Sequence, residues 1–391
     1  MERNLDFDKI IDRHHTKSLK YDFALRRHAD PDALPMWVAD MDFQTSSYIQ
    51  DALYRVVDHG IFGYSENDDA YNEALVAWEK RRYGFDLDTR WLVKTPGIVF
   101  ALAQAVCAFT QEGDSILIQQ PVYYPFQEVI EDNHRHLVSS DLVLDREENR
   151  YKIDFEDFER KIVENKVKLF FLCNPHNPAG RVWTAEELTG LADICLAHGV
   201  LIVSDEIHRD FILEGEHIEI AGLDSRYREQ TIVCTSPSKT FNLAGLQISN
   251  IYIANPELRS KFKRQVAAAG YSQVGLMGLI ACEAAYRYGD TWLDGVVSYI
   301  RQNRDFLQDR LQEYFPRIGF VRQEGTYLSW LDFRAYHLSA AELKQKLMYE
   351  AGLWLDGGEI FGIMGEGFER VNIACPRATL EEALARLKKA F

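Results

Sequence analysis

Lys239 stands in Ser236-Pro-Ser238-Lys239-Thr240, directly after the apolar run TIVCT (231–235). A lysine is usually solvated on the surface. One whose amine pKa is lowered can instead attack a carbonyl and hold it as a Schiff base. Asp205 ends a second apolar run, VLIVS (200–204). Alone it reads as a cap or as a buried, hydrogen-bonded carboxylate. Together the two describe a narrower chemistry. An imine-forming lysine beside a carboxylate that must stay ionised is what pyridoxal 5′-phosphate (PLP) requires.

PLP draws electrons from a substrate carbanion only while its pyridine nitrogen carries a proton. A carboxylate in reach favours that form through a charge-assisted hydrogen bond. A closed site screens the bond less than water does. Asp205 has the charge for this, and an amide would not. The phosphate calls for backbone N–H groups, hydroxyls and a helix N-terminus. Gly97-Ile98-Val99 opens a helical run, and Ser236 and Ser238 carry hydroxyls. Tyr123 offers the ring an aromatic face. Asn177, in a turn before Pro178, can donate to the ring's phenolate oxygen.

These residues need strand ends to hold them. SILIQQP (115–121), LFFLC (169–173), VLIVSDE (200–206), TIVCTS (231–236) and ISNIYIAN (248–255) are short and apolar on both faces, as strands of a covered sheet are. Between two of them Thr184-Ala-Glu-Glu187 is a capping box. Leu188, Leu191 and Cys195 follow at helical spacing, and His198-Gly199 ends the helix. Alternating strands and helices predict an α/β fold with a mostly parallel sheet. Such sheets bind ligands outside the carboxyl ends of their strands. The loops at 94–97, 121–125, 174–180, 205–208 and 236–240 all fall there.

The last hundred residues read as a smaller α+β domain. Ser339-Ala-Ala-Glu342 caps one helix. Thr379-Leu-Glu-Glu382 caps the last, with Leu380, Leu384, Leu387 and Phe391 on one face. Segments 327–333 and 370–374 read as strands between them. The N-terminal forty or so residues lack a core of their own and pack against this domain. The expected division is 45–290 for the large domain, with 1–44 and 291–391 forming the small one.

Composition narrows the classes. The chain has 391 residues, 47% hydrophobic and 27% charged, which excludes disordered, collagen-like and coiled-coil readings. Its formal net charge of −16 leaves no electrostatic footprint for nucleic acid or an anionic membrane. Cys107, Cys173, Cys195, Cys234, Cys282 and Cys375 stand singly, with no C-x-x-C pair, which argues against a disulfide framework or a metal site. The start, MERNLDFDKI, lacks the apolar core of a signal peptide. No apolar run reaches the roughly 18 residues that a spanning helix needs. A reducing cytoplasm is the expected location.

Over nearly its whole length the chain resembles the fold-type I PLP enzymes of the class I/II aminotransferase superfamily. The resemblance rests on Asn177-Pro178-Ala-Gly180, Asp205-Glu-Ile-His208 and Ser236-Pro-Ser238-Lys239. Within the superfamily it resembles the cystathionine β-lyase type of carbon–sulfur lyase. That narrower likeness rests on Pro35-Met-Trp37-Val-Ala-Asp40-Met-Asp42-Phe43 and on His208, where most aminotransferases have tyrosine. Asn372-Ile-Ala-Cys375-Pro376-Arg377 adds to it.

The resemblance implies roles. Lys239 is the Schiff-base lysine and proton shuttle, and Asp205 partners the pyridine nitrogen. Tyr123 stacks on the ring and Asn177 contacts its phenolate oxygen. His208 stands at the second phenolate contact, or is a neutral structural histidine. Gly97, Ile98, Val99, Ser236 and Ser238 match phosphate contacts, and Tyr64 matches a tyrosine that reaches the phosphate across a dimer interface. Arg370 grips the substrate α-carboxylate, with Arg377 in reserve, and Trp37 and Asn177 border the substrate. Gln247 departs from the pattern. Aminotransferases usually have a phosphate-binding arginine there, so the phosphate would lean more on neutral donors.

The implied activity is α,β-elimination on L-cystathionine or cysteine-type substrates by a homodimer with shared active sites. The products are a thiol (homocysteine or sulfide), pyruvate and ammonia. A PLP-dependent aminotransferase is one alternative, separated by its need for a keto acid. A PLP-binding regulatory protein is the other, and it has no use for Lys239 and Arg370 in register.

Overall fold

The computed structural model describes residues 1–391. Its strands, in chain order, are β1 (Leu34–Pro35), β2 (Leu92–Thr95), β3 (Ser115–Ile118), β4 (His136–Ser139), β5 (Val143–Asp145), β6 (Arg150–Lys152), β7 (Leu169–Cys173), β8 (Leu201–Asp205), β9 (Thr231–Thr235), β10 (Ser249–Ile253), β11 (Gly319–Phe320), β12 (Leu328–Asp332), β13 (Leu353–Trp354), β14 (Asp356–Gly357) and β15 (Phe368–Asn372). Seven form one sheet in the order β2-β10-β9-β8-β7-β3-β4. β9, β8, β7, β3 and β4 run parallel, and β10 runs antiparallel to both β9 and β2. The mostly parallel α/β sheet is thus as the sequence predicts.

The apolar runs are continuous because both faces of the sheet are covered. In β7, Phe171 and Cys173 join one layer with Ile98, Leu102 and Phe126. Phe170 and Leu172 join the other with Phe158, Leu188 and Leu191. Each such phenylalanine, leucine or isoleucine contributes about 1.5–3 kcal/mol on burial. The covering helix Ala185–His198 starts at the predicted box, with Thr184 and Glu187 capping each other. It ends at Gly199, whose φ of 66° suits glycine. The helix Ile98–Phe109 follows β2 directly, with Gly97 at its N-cap.

Toward the C-terminus, β11-β12-β15-β14 form an antiparallel sheet. Its register sets Arg370 between Trp330 of β12 and Asp356 of β14. β1 pairs with β13, which ties the N-terminal segment to this part of the chain. The box at Ser339 and Glu342 is present.

Thr379 does not cap the final helix. That helix runs Arg377–Leu387 with Pro376 at its N-cap, and Thr379 lies in its first turn. Pro376 has no side-chain acceptor to cap it; the Arg377 N–H donates to the distant Tyr299 Oη at 2.7 Å instead. Leu380, Leu384 and Leu387 are buried as their spacing predicts. Phe391 lies beyond the helix and packs on Phe333 and Tyr336. The strand expected at 370–374 starts two residues earlier, because Phe368 pairs with Asp332, so Arg370 sits mid-strand. No helix is long and apolar enough to cross a membrane.

Candidate active site

Asp205 is the last residue of β8 and is buried. Burial pushes its carboxyl up to about 7; the Ile207 N–H at 3.1 Å and the Lys239 ammonium oppose the rise, and Glu206 adds to it. Above its unfolded value near roughly 3.9, this carboxyl favours the protonated form in the ligand-free fold. Its contribution to stability is therefore full below about pH 4 and is lost as pH rises to about 7. The difference is worth about 4 kcal/mol. Asp205→Asn should flatten the pH dependence of the urea midpoint of ligand-free protein across this window. An unchanged slope would show that the carboxyl is not perturbed.

Lys239 lies one strand away. β9 ends at Thr235, and Ser236 caps the turn Pro237–Thr240 by accepting from the Ser238 N–H at 3.1 Å. The Ser236 and Ser238 hydroxyls lie 2.6 Å apart, and Ser236 also donates to the Ile248 carbonyl. Thr240 donates to Asp210 at 2.6 Å, which holds the turn from behind. Burial brings the Lys239 ammonium down to about 8. The Arg370 guanidinium adds to the fall, and Asp40 and Asp205 oppose it. Lys239 thus lies within reach of the charges of both Arg370 and Asp205.

The segment 36–43 closes the space around Lys239. The Ala39 carbonyl accepts from Lys239 Nζ at 2.5 Å and from Tyr327 Oη at 2.9 Å. Asn372 Nδ2 donates to the carbonyls of Val38 (2.6 Å) and Asp40 (2.5 Å). Asn242 donates to those of Met41 and Phe43. The Trp37 carbonyl accepts from Arg370 at 3.1 Å. Trp37 itself is half-buried and stacked on Trp354, with ring centres 4.6 Å apart.

Arg370 reaches the same space from β15. Its Nη1 donates to Asn177 Oδ1 at 3.1 Å, and its Nη2 pairs with Asp356. Asn177 is buried, and its carbonyl accepts from the Tyr123 N–H. Tyr123 is half-buried beside Tyr124, and its phenol feels the charges of Arg370 and Asp205. His208 is buried edge-on to Tyr327, and burial and the nearby Lys239 and Arg370 hold it neutral. The structure thus brings Lys239, Asp205, Tyr123, Asn177, His208, Arg370 and Trp37 together.

Other candidates stand elsewhere. Ile98 is buried and Val99 is exposed at the start of their helix. Tyr64 is 93% exposed and lines a cavity of about 670 Å³ with Lys94, Lys263 and Tyr271, not with Lys239. Arg377 turns away from the space: its Nε donates to Asn303 at 2.9 Å and its guanidinium lies 4.2 Å from the Phe306 ring centre. Gln247 is exposed in a left-handed conformation, at φ 51°.

Residues 40–387 match the family model for aminotransferase class I and II. The chain belongs to the class I and II aminotransferase family. It is 42% identical over 388 residues to cystathionine beta-lyase PatB of Bacillus subtilis strain 168, covering 99% of this chain and 100% of the relative. A PLP-bound putative aminotransferase from Clostridium difficile superposes with a TM-score of 0.96 at 41% identity, over 98% of this chain and 99% of that one. Cystalysin from Treponema denticola, which contains a PLP cofactor, superposes with a TM-score of 0.95 at 36% identity, over 98% of both chains. Against this family background, the sequence reading passed over three side chains at the site: Tyr327, Asn372 and Asp356. Tyr327 and Asn372 lie in segments that read as strands, and their residue types alone do not mark them for a site. Asp356, in Leu355-Asp356-Gly357-Gly358, carries no signal beyond a turn-like composition.

Proposed function

We propose that this protein is a PLP-dependent carbon–sulfur β-lyase acting on L-cystathionine and cysteine-type amino acids. The reaction converts R–S–CH2–CH(NH3+)–COO− and water to the thiol R–SH, pyruvate and ammonium. The observation that carries the reading is Lys239, Asp205 and Arg370 set around one space, in a chain 42% identical from end to end to a cystathionine β-lyase.

The residues fit PLP. Gly97 has no side chain to cap the helix behind it, and a Cβ there would meet no protein atom within 4 Å. Open space before unclaimed N–H groups of Ile98 and Val99 suits a phosphate; the Ser236 hydroxyl proton is held by the Ile248 carbonyl, and the Ser238 hydroxyl, paired only with Ser236, can turn to add a neutral donor. His208 Nδ1 is buried without a partner. Asp205 is a buried carboxylate that a cation would pull back down from about 7.

When bound, PLP supplies an electron sink for negative charge at the substrate Cα. Asp205 would hold the pyridine nitrogen in its protonated form, Tyr123 would offer the ring an aromatic face, and Asn177 and His208 would supply polar contacts at the phenolate oxygen. Lys239, with an amine near 8, is partly neutral at physiological pH and removes the Cα proton. Base catalysis of this kind is worth about 10²–10⁴-fold. Arg370 grips the α-carboxylate, and Trp37 borders the substrate. Arg370→Lys keeps the charge but loses the planar fork. It should raise KM for L-cystathionine about 10–100-fold with a smaller change in kcat. Arg377→Lys should leave KM alone, since Arg377 is engaged by Asn303. Steady-state kinetics on both variants decide between them.

The enzyme works as a homodimer in which Tyr64 would reach the phosphate held by the partner subunit. Ile61, Phe62 and Tyr64 are more than 60% exposed, a surface suited to a second copy. Six unpaired cysteines, five of them buried, suit a reducing cytoplasm. Pyruvate release from L-cystathionine without any keto acid tests the activity.

A further inference from the structure

Sheet register, not chance, puts a carboxylate on Arg370. Asp356 in β14 faces Arg370 in β15 as its cross-strand partner, and both are buried. A guanidinium has five N–H groups in a fixed fork. Three are engaged here: Nη1 donates to Asn177, and Nη2 donates to both the Trp37 carbonyl and Asp356 Oδ2. The Phe361 ring covers one face at 4.8 Å. Nε is buried with no partner.

A carboxylate forks onto arginine through Nε and Nη2, or through Nη1 and Nη2. Both forks use Nη2, and both Nη2 protons are taken. A substrate carboxylate therefore grips fully only by displacing the Trp37 carbonyl or Asp356. The Trp37 carbonyl belongs to a backbone pinned on either side, at Met36 by the Asn372 N–H and at Val38 by its side chain. Asp356 is a side chain that can rotate, and it offers the same functional group as the ligand. Burial pushes its carboxyl up, Arg370 opposes that rise, and Glu359 adds to it. A second carboxylate on the same guanidinium weakens the opposition, so the two anions exclude each other.

We propose that Asp356 is a specificity-determining residue: an internal carboxylate that holds the substrate's place on Arg370 and competes with every carboxylate that arrives. This rests on reading Arg370 as the grip for the α-carboxylate. An amino acid offsets the competition through its amine, a second point of attachment. Pyruvate has no amine and does not. The product therefore leaves readily and keto acids are poor ligands, which favours elimination over amino transfer.

Cofactor-loaded wild type, Asp356→Asn, Asp356→Ala and Arg370→Ala test this. Propionate binding is measured by calorimetry and pyruvate is assayed as an inhibitor. Both Asp356 variants should bind propionate about tenfold more tightly (about 1.4 kcal/mol), with pyruvate inhibiting at correspondingly lower concentration. Arg370→Ala should lose propionate binding. If Arg370→Ala loses it but the Asp356 variants bind no more tightly than wild type, Asp356 merely positions Arg370 and the inference is overturned. If Arg370→Ala binds propionate as wild type does, the grip itself has been misassigned. Either Asp356 variant suffices should the other fail to fold.

Discussion

Lys239→Ala should lower turnover by at least about 10⁴-fold, because it removes both the covalent attachment point and the base. The turn that carries Lys239 does not depend on its amine. Ser236 caps that turn, and Thr240 holds it to Asp210. The amine makes one hydrogen bond, to the Ala39 carbonyl, which keeps Tyr327 as a donor after the change. Losing one such bond costs about 0.5–1.5 kcal/mol, so the variant should fold. Thermal melting should move by only a few degrees while the visible absorbance of lysine-linked cofactor disappears. Turnover within tenfold of wild type in a folded variant would remove Lys239 from the mechanism.

Asp205→Asn should lower kcat about 10²–10⁴-fold. The carboxylate is buried and its side chain accepts only the Ile207 N–H, so nothing else on β8 can replace its charge. Asparagine keeps the shape and that hydrogen bond but not the anion. Leaving a buried cation without its partner costs about 3–5 kcal/mol, and the loss falls on the step that needs a protonated ring. The check is kcat at saturating cofactor, with cofactor content measured on the same sample. Asp205→Glu keeps the charge at a changed distance and should recover part of the loss. Equal activity in the Asn and Glu variants would mean that charge is not what Asp205 supplies.

Much of this site was legible because strand ends in a covered sheet are legible. Lys239 and Asp205 each end an apolar run, and Asn177 and Gly97 each open a turn after one. A lowered lysine pKa alone would not have marked the place. Burial brings Lys94 to about 8 as well, yet it faces Asn67 and Tyr71. What set Lys239 apart was a carboxylate at the neighbouring strand end. The choice of Arg370 over Arg377 needed the structure, since only contacts show Arg377 committed to Asn303. Asp356 was invisible for a related reason. Its partner lies fourteen residues away in the chain and is set by β-sheet register, which no local pattern encodes. Thr379 and Glu382 fit a capping box, yet the helix starts at Arg377, whose N–H donates to Tyr299, 78 residues upstream. Tyr64 is the remaining case. A phosphate contact for it is proposed from resemblance, and in this chain it is exposed and apart from Lys239.

The most direct measurement uses purified protein with PLP and L-cystathionine, and no keto acid. Pyruvate and free thiol are followed together over many turnovers. A β-lyase built on Lys239, Asp205 and Arg370 releases the two in equal amounts and without pause. A single turnover that stops, and resumes only when a keto acid is added, would contradict that account and make the protein an aminotransferase.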